Sequence, residues 1–201
     1  HKSIRSNEIM NNSSIEIIAE VIDYGNSSIE SVFLNWKYSA EDGPYNQIEL
    51  GDENGNLYCG GSGQSLYRVT TDLSSTIVAD YTGIFVRAIR VFNGFVYVGG
   101  NYSGTDDTVP SVGIWKNQIL SSEGELGEKE IVLDWVEHAG FNSNITGITF
   151  DENGTMYISS DANVAIGLYS SEGIFSELFP KIISAPIAKM TWGSAHYLYL
   201  N

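Results

Sequence analysis

ITFDENGTMYISS, Ile148 to Ser160, consists of two short apolar runs joined by a polar turn. Ile148 and Phe150 alternate with Thr149 as a strand requires. Asp151, Glu152, Asn153 and Gly154 supply turn chemistry, and Met156, Tyr157 and Ile158 begin a returning strand. The stretch predicts a β-hairpin. Asn-Gly is the strongest short signal for one, because a tight hairpin needs positive φ at residues that adopt it cheaply.

The stretch recurs. Ile48 to Gly61 (IELGDENGNLYCGG) and Ile89 to Gly100 (IRVFNGFVYVGG) keep the Asn-Gly turn with Tyr58 and Tyr97 three residues after the Gly. Met190 to Asn201 (MTWGSAHYLYLN) keeps Tyr199 but has Ala195-His196 in the turn. Each of the first three copies is followed by a third apolar run, at Ser65 to Val69, Val112 to Trp115 and Ala165 to Tyr169. A fourth run follows at Ile77 to Tyr81, Ile131 to Trp135 and Ile174 to Phe179. The repeating unit is therefore four strands. Its tyrosines lie 39, 60 and 42 residues apart, which brackets the roughly 40 to 50 residues of a propeller blade. Two polar insertions, Asn101 to Thr108 (NYSGTDDT) and Ser121 to Glu130 (SSEGELGEKE), account for the long interval. The second strand carries bulk on both faces: Val96 and Val98 or Met156 and Ile158 on one, the tyrosines on the other. Stacked blades bury both faces of each sheet, which suits this pattern better than a sheet with one wet face.

The D-x-N-G-x-φ-Y-φ pattern at Asp52 to Cys59 and Asp151 to Ile158 resembles the inner-strand hairpin of β-propellers of the NHL, SMP-30 and two-component-regulator type, over roughly residues 48 to 201. The resemblance implies an all-β chain of four-stranded blades, either a fragment of a larger ring or a small ring closed by the N-terminal strands. The chain has no WD dipeptide and no full kelch signature, so the resemblance is to an architecture rather than to one family. Along the chain we expect a flexible lead at 1–13, a hairpin at 14–46 forming a partial blade or small β module, and blades over 47–201. The repeats fall near 48–81, 89–135, 148–179 and 187–201.

Composition supports strands over helices. Of 201 residues, 42% are hydrophobic, with 12 Tyr, 8 Phe and 4 Trp, which is ample for a packed core. The formal charge of −15 repels phosphate backbones and anionic membranes, so nucleic acid is not expected as a partner. No apolar run reaches the roughly 20 residues of a membrane span. The chain opens HKSIRSNEIM, without Met and without an apolar signal core, as a fragment or a processed form would. The one cysteine, Cys59, sits at an apolar strand position and reads as a buried thiol. Asn-x-Ser/Thr sequons begin at Asn11, Asn12, Asn26, Asn101, Asn144 and Asn153, and they matter in a glycosylating host.

Catalytic chemistry is sparse at this level, and no catalytic residue is assigned. His1 is terminal, His196 occupies a repeat turn, and His138 follows Trp135 in a connecting loop that could face a central channel. Asp106 and Asp107 are the candidates for a calcium site in the first insertion, with Asn101 and backbone carbonyls, since calcium takes six to eight oxygens. Otherwise that loop is solvated polar chain and no cofactor is expected. The DENG turns read as side-chain-capped turns, and Asp23, Asp80 and Asp134, which recur before aromatic residues, read as architectural. The functional expectation is a non-catalytic propeller that binds protein or carbohydrate, or serves as a scaffold in an extracellular, surface or virion assembly. Its candidate contacts are Asn101, Tyr102, Asp106, Asp107, Glu123, Glu125, His138 and Phe141, in or near the insertions. The alternative is a calcium-dependent propeller hydrolase or lactonase.

Overall fold

Four strands, Lys2–Met10 (β1), Ser13–Ile22 (β2), Ser31–Tyr38 (β3) and Asn46–Leu50 (β4), form the first antiparallel sheet, each pairing with the next. A computed structural model describes the chain over residues 2–10, 13–22, 31–38, 46–50, 52–53, 56–60, 65–69, 74–140, 143–161, 166–177, 190–192 and 198–200. The segment read as a flexible lead thus holds a strand, which pairs with β2 from Lys2↔Val21 to Met10↔Ser13. β2 pairs in turn with β3, from Ile15↔Tyr38 to Ile22↔Ser31.

Three more units follow in the same consecutive order. The second sheet comprises Asp52–Glu53 (β5), Asn56–Cys59 (β6), Ser65–Val69 (β7) and Ser75–Asp80 (β8). The third comprises Ile84–Phe92 (β9), Phe95–Tyr102 (β10), Val112–Ile119 (β11) and Leu126–Asp134 (β12). A short helix, Trp135–Ala139 (α1), leads to the fourth: Ile145–Phe150 (β13), Met156–Ser160 (β14), Gly167–Tyr169 (β15) and Phe175–Glu177 (β16). Met190–Trp192 (β17) and Leu198–Leu200 (β18) make a final two-stranded sheet. First strands neighbour first strands, β9 against β13 and β13 against β17, so they line the inside of the arc while β8, β12 and β16 lie outermost.

One boundary differs from the repeat reading. Residues 46–50, expected to open the second unit's hairpin, pair with β3 as Val32↔Leu50 to Trp36↔Asn46. Only Asp52 and Glu53 pair with β6. Even so, β4 lies against β9, so it stands in the inner row.

The repeated residues have physical roles. Asn93 and Gly94 both take positive φ, 48° and 77°, and join Phe92 to Phe95 in a two-residue turn. At Asp151 the turn is longer: its Oδ1 accepts from the backbone N of Asn153 (2.9 Å) and of Thr155 (2.8 Å), and Gly154 sits at φ 82°. The DENG carboxylate is therefore committed to its own turn. The recurring Asp-aromatic pair ends the outer strands β8 and β12. Asp80 accepts from the N and Oγ1 of Thr82, and Asp134 caps α1 through the N of Glu137 at 3.0 Å. The aromatic that follows is fully buried in both cases: Tyr81 donates its hydroxyl to Asn117 Oδ1 at 2.7 Å, and Trp135 donates its indole N–H to Ser143 Oγ at 3.0 Å. Asp23 lies outside the described residues.

The core sits between sheets. Tyr58, Leu66 and Tyr81 of the second unit pack against Ile89, Val96 and Val98 of the third. Ile114, Leu133 and Trp135 pack against Ile145, Ile148 and Ile158 of the fourth. Each such side chain, fully buried, contributes about 1.5–3 kcal/mol. Both faces of the second strands are covered, as the alternation predicts: Val96 and Val98 on one side, Tyr97 against Phe150 at 4.7 Å on the other. Cys59 is partly buried, and desolvation pushes its thiol up to about 11, so it is a packing residue rather than a nucleophile.

Candidate functional site

The third and fourth sheets have two unlike ends. At one, the turn end, lie Asn93-Gly94, the 151–155 turn and the 120–125 loop. At the other, the mouth, β9 and β13 begin, β10 and β14 finish, and α1 connects the sheets.

A glycine device operates at the mouth. A Cβ on Gly60 would come 2.8 Å from Val86 Cγ1, and one on Gly99 would come 2.8 Å from Ile145 Cγ2. A bare backbone on the second strand thus lets a β-branched residue of the next sheet's first strand press in. In the third copy the Gly-Gly pair is replaced by Ser159-Ser160, both buried. Ser159 Oγ lies 2.9 Å from Thr146 Oγ1, on the bulge of β13 between Ile145 and Gly147. Ser160 pairs with Ile145 and so shares its face toward the third sheet. Asn101, two residues beyond Gly99, shares the face of β10 that looks back at the fourth sheet. Ser160 Oγ and Asn101 Oδ1 are both buried and have no hydrogen-bond partner among the described residues.

Asp161 follows Ser160 and pairs with Asn144. Its Oδ1 accepts from the Asn144 backbone N at 2.8 Å, its Oδ2 accepts from Asn144 Nδ2, and its own N–H donates to the Asn144 carbonyl at 2.9 Å. The carboxylate is exposed, sits where β13 starts and β14 ends, and keeps lone pairs for a further donor. Hydroxyls, an amide and one held carboxylate within a few residues can bind a hydroxylated substrate and take a proton from water.

The residues expected from sequence do not converge. Asn101 and the 103–111 loop are at the mouth, whereas Glu123 and Glu125 are exposed at the turn end. Tyr102, expected as a contact residue, is half-buried: it packs into the core between the second and third sheets and covers Gly83. His138, expected in a loop that could face a channel, is on α1. Its ring meets Phe175 (5.4 Å) and Tyr169 (6.3 Å) edge-on, over the outer strands of the fourth sheet. Phe141 lies outside the described residues. Asp106 and Asp107 are exposed; Oδ1 of Asp106 accepts from Thr108 N (2.9 Å) and Oγ1 (2.7 Å), which hold its carboxyl below the ordinary range. Among the described residues no three Asp, Glu, His or Cys side chains gather in a way that would hold a metal. Sequence reasoning passed over Thr146, Ser159, Ser160 and Asp161, although Ser-Ser in place of Gly-Gly is a visible break in the repeat.

No protein-family model and no curated protein sequence matches this chain. Among solved structures it is similar to a luciferin-regenerating enzyme, with TM-score 0.57 and 13% identity over 95% of this chain and 66% of that one. It is also similar to a gluconolactonase from Xanthomonas campestris, with TM-score 0.53 and 13% identity over 96% of this chain and 67% of that one. The chain thus spans about two thirds of the length of each. The expected non-catalytic binding or scaffold module is corrected by this comparison, since both neighbours are enzymes. At this identity the likeness establishes the fold: consecutive four-stranded antiparallel sheets around an inner row of first strands, a β-propeller.

Proposed function

We propose that this chain belongs to a propeller hydrolase acting on lactones, with its chemistry at the mouth of the third and fourth sheets. The observation that carries the reading is the replacement of the repeat's Gly-Gly by Ser159-Ser160-Asp161, on a fold shared with a gluconolactonase. In the reaction, water adds to the lactone carbonyl, the ring C–O bond breaks, and the ring oxygen leaves as the product's hydroxyl. Asp161 takes the proton from water, and Asn144 holds that carboxylate in place. The Thr146 and Ser159 hydroxyls, 2.9 Å apart, offer a donor for the carbonyl oxygen or for a substrate hydroxyl. No step is assigned to calcium.

The test is release of acid from δ-gluconolactone and a panel of aldonolactones and aryl esters, followed by pH indicator. Asp161→Asn should lower kcat by about 10²-fold or more, with KM little changed. The same assay with chelator or added calcium decides whether a metal is recruited. Absence of turnover above the uncatalysed rate across the panel would end the lactonase reading.

A further inference from the structure

Three of the chain's Asn-x-Ser/Thr sequons lie among the described residues, and the fold treats them differently. At Asn101-Tyr102-Ser103 the Asn Oδ1 is buried and the Ser Oγ donates to the Gly83 carbonyl at 3.2 Å. At Asn144-Ile145-Thr146 the Asn amide donates to Asp161 and the Thr hydroxyl pairs with Ser159. At Asn153-Gly154-Thr155 neither side chain has a hydrogen bond among the described residues, and Asn153 is exposed at the tip of the 151–155 turn.

We propose that Asn153 is the acceptor of an N-linked glycan. Transfer needs an amide nitrogen free to attack, a hydroxyl two residues on, and open space around both. Here the Asp151 carboxylate fixes the turn through the backbone N–H groups of Asn153 and Thr155, at 2.9 and 2.8 Å, and leaves both side chains unengaged. Gly154, at φ 82°, puts no side chain between them. The donor is a lipid-linked oligosaccharide pyrophosphate. The Asn153 Nδ2 to sugar C1 bond forms, the C1 to pyrophosphate oxygen bond breaks, and the amide proton is lost. A glycan on Asn101 would sit on a half-buried side chain whose amide oxygen is buried, and one on Asn144 would displace its contact with Asp161. A glycan on Asn153 costs the fold nothing comparable and projects from the turn end, leaving the mouth open. The inference is independent of the lactonase reading.

The experiment is secretion of the full chain from a glycosylating eukaryotic host, enzymatic deglycosylation in ¹⁸O-water and peptide mapping, which reads each sequon separately. The expected result is isotope label on most of the Asn153 peptide and little on those of Asn101 and Asn144. Asn153→Gln and Thr155→Ala should each remove that label, the second while leaving the asparagine in place. An unlabelled Asn153 peptide in the secreted protein, or label moved to Asn101 or Asn144, would overturn the assignment.

Discussion

The third sheet carries both polar insertions, and they are built in opposite ways. The 120–125 loop at the turn end folds back on the second sheet: the Ser122 carbonyl accepts from Asn56 Nδ2 at 2.9 Å, and Gly124 is buried at φ 73°. A Cβ there would come 2.7 Å from Arg68 Cδ and 2.8 Å from Tyr58 Oη. The 103–111 loop at the mouth is exposed over most of its length. It is held by backbone hydrogen bonds, Ser103 N to the Gly83 carbonyl and Tyr102 N to the Ser111 carbonyl, and by the Asp106-Thr108 turn. Two segments of similar composition thus differ in kind. One docks against the neighbouring sheet through a buried residue, while the other is exposed at the mouth and held mainly by backbone hydrogen bonds.

The contrast can be broken most forcefully at Gly124. Gly124→Val places a side chain on left-handed backbone against Arg68, Tyr58 and Asn56, and should destabilise by about 3 kcal/mol in urea unfolding. A loss no larger than a surface substitution gives would mean the loop is not docked. Next, Asn117→Ala leaves the buried Tyr81 hydroxyl without its acceptor and frees the Gly127 carbonyl, for about 2 kcal/mol. A double-mutant cycle with Tyr81→Phe should recover much of that as coupling. Asn56→Ala, which removes the single side-chain bond to Ser122, should cost about 1 kcal/mol. Asp106→Ala and Asp107→Ala at the mouth loop should leave the unfolding midpoint within error. If either shifts it as far as Asn56→Ala does, the two loops are not the different structures described.

A last prediction concerns pH. The Cys59 thiol is raised from 9.0 to about 11 by desolvation, so above pH 9 the unfolded chain loses that proton before the folded one does. Stability is full below pH 9 and declines between pH 9 and about 11. Cys59→Ser should flatten that part of the profile, measured by thermal melts at alkaline pH.

How much of this was legible in sequence follows from the range of the forces involved. Hairpins are local, so Asn93-Gly94 and the 151–155 turn announced themselves through residues that tolerate positive φ. The Asp80-Tyr81 and Asp134-Trp135 pairs were legible as architecture because they recur. The capping helix α1 was not: five residues, WVEHA, are too few to display a 3.6-residue period. Which acidic insertion would dock depended on Gly124 meeting Tyr58 and Arg68 across a sheet boundary, a contact spanning more than fifty residues. The mouth cluster was legible in principle. Ser159-Ser160 interrupts a Gly-Gly repeat, but acidic residues attract the eye in a search for chemistry and hydroxyls do not.

Ile77 and Ile131, 59% and 52% exposed, occupy equivalent places on the outermost strands β8 and β12. Outermost strands are templates for pairing with another chain, and apolar residues on them strengthen that tendency. The net charge of −15 opposes such pairing, because like molecules repel before their rims can meet. As pH falls toward the isoelectric point of about 4.3 that repulsion fades. The acidity of the chain is then a guard against self-association through the rim.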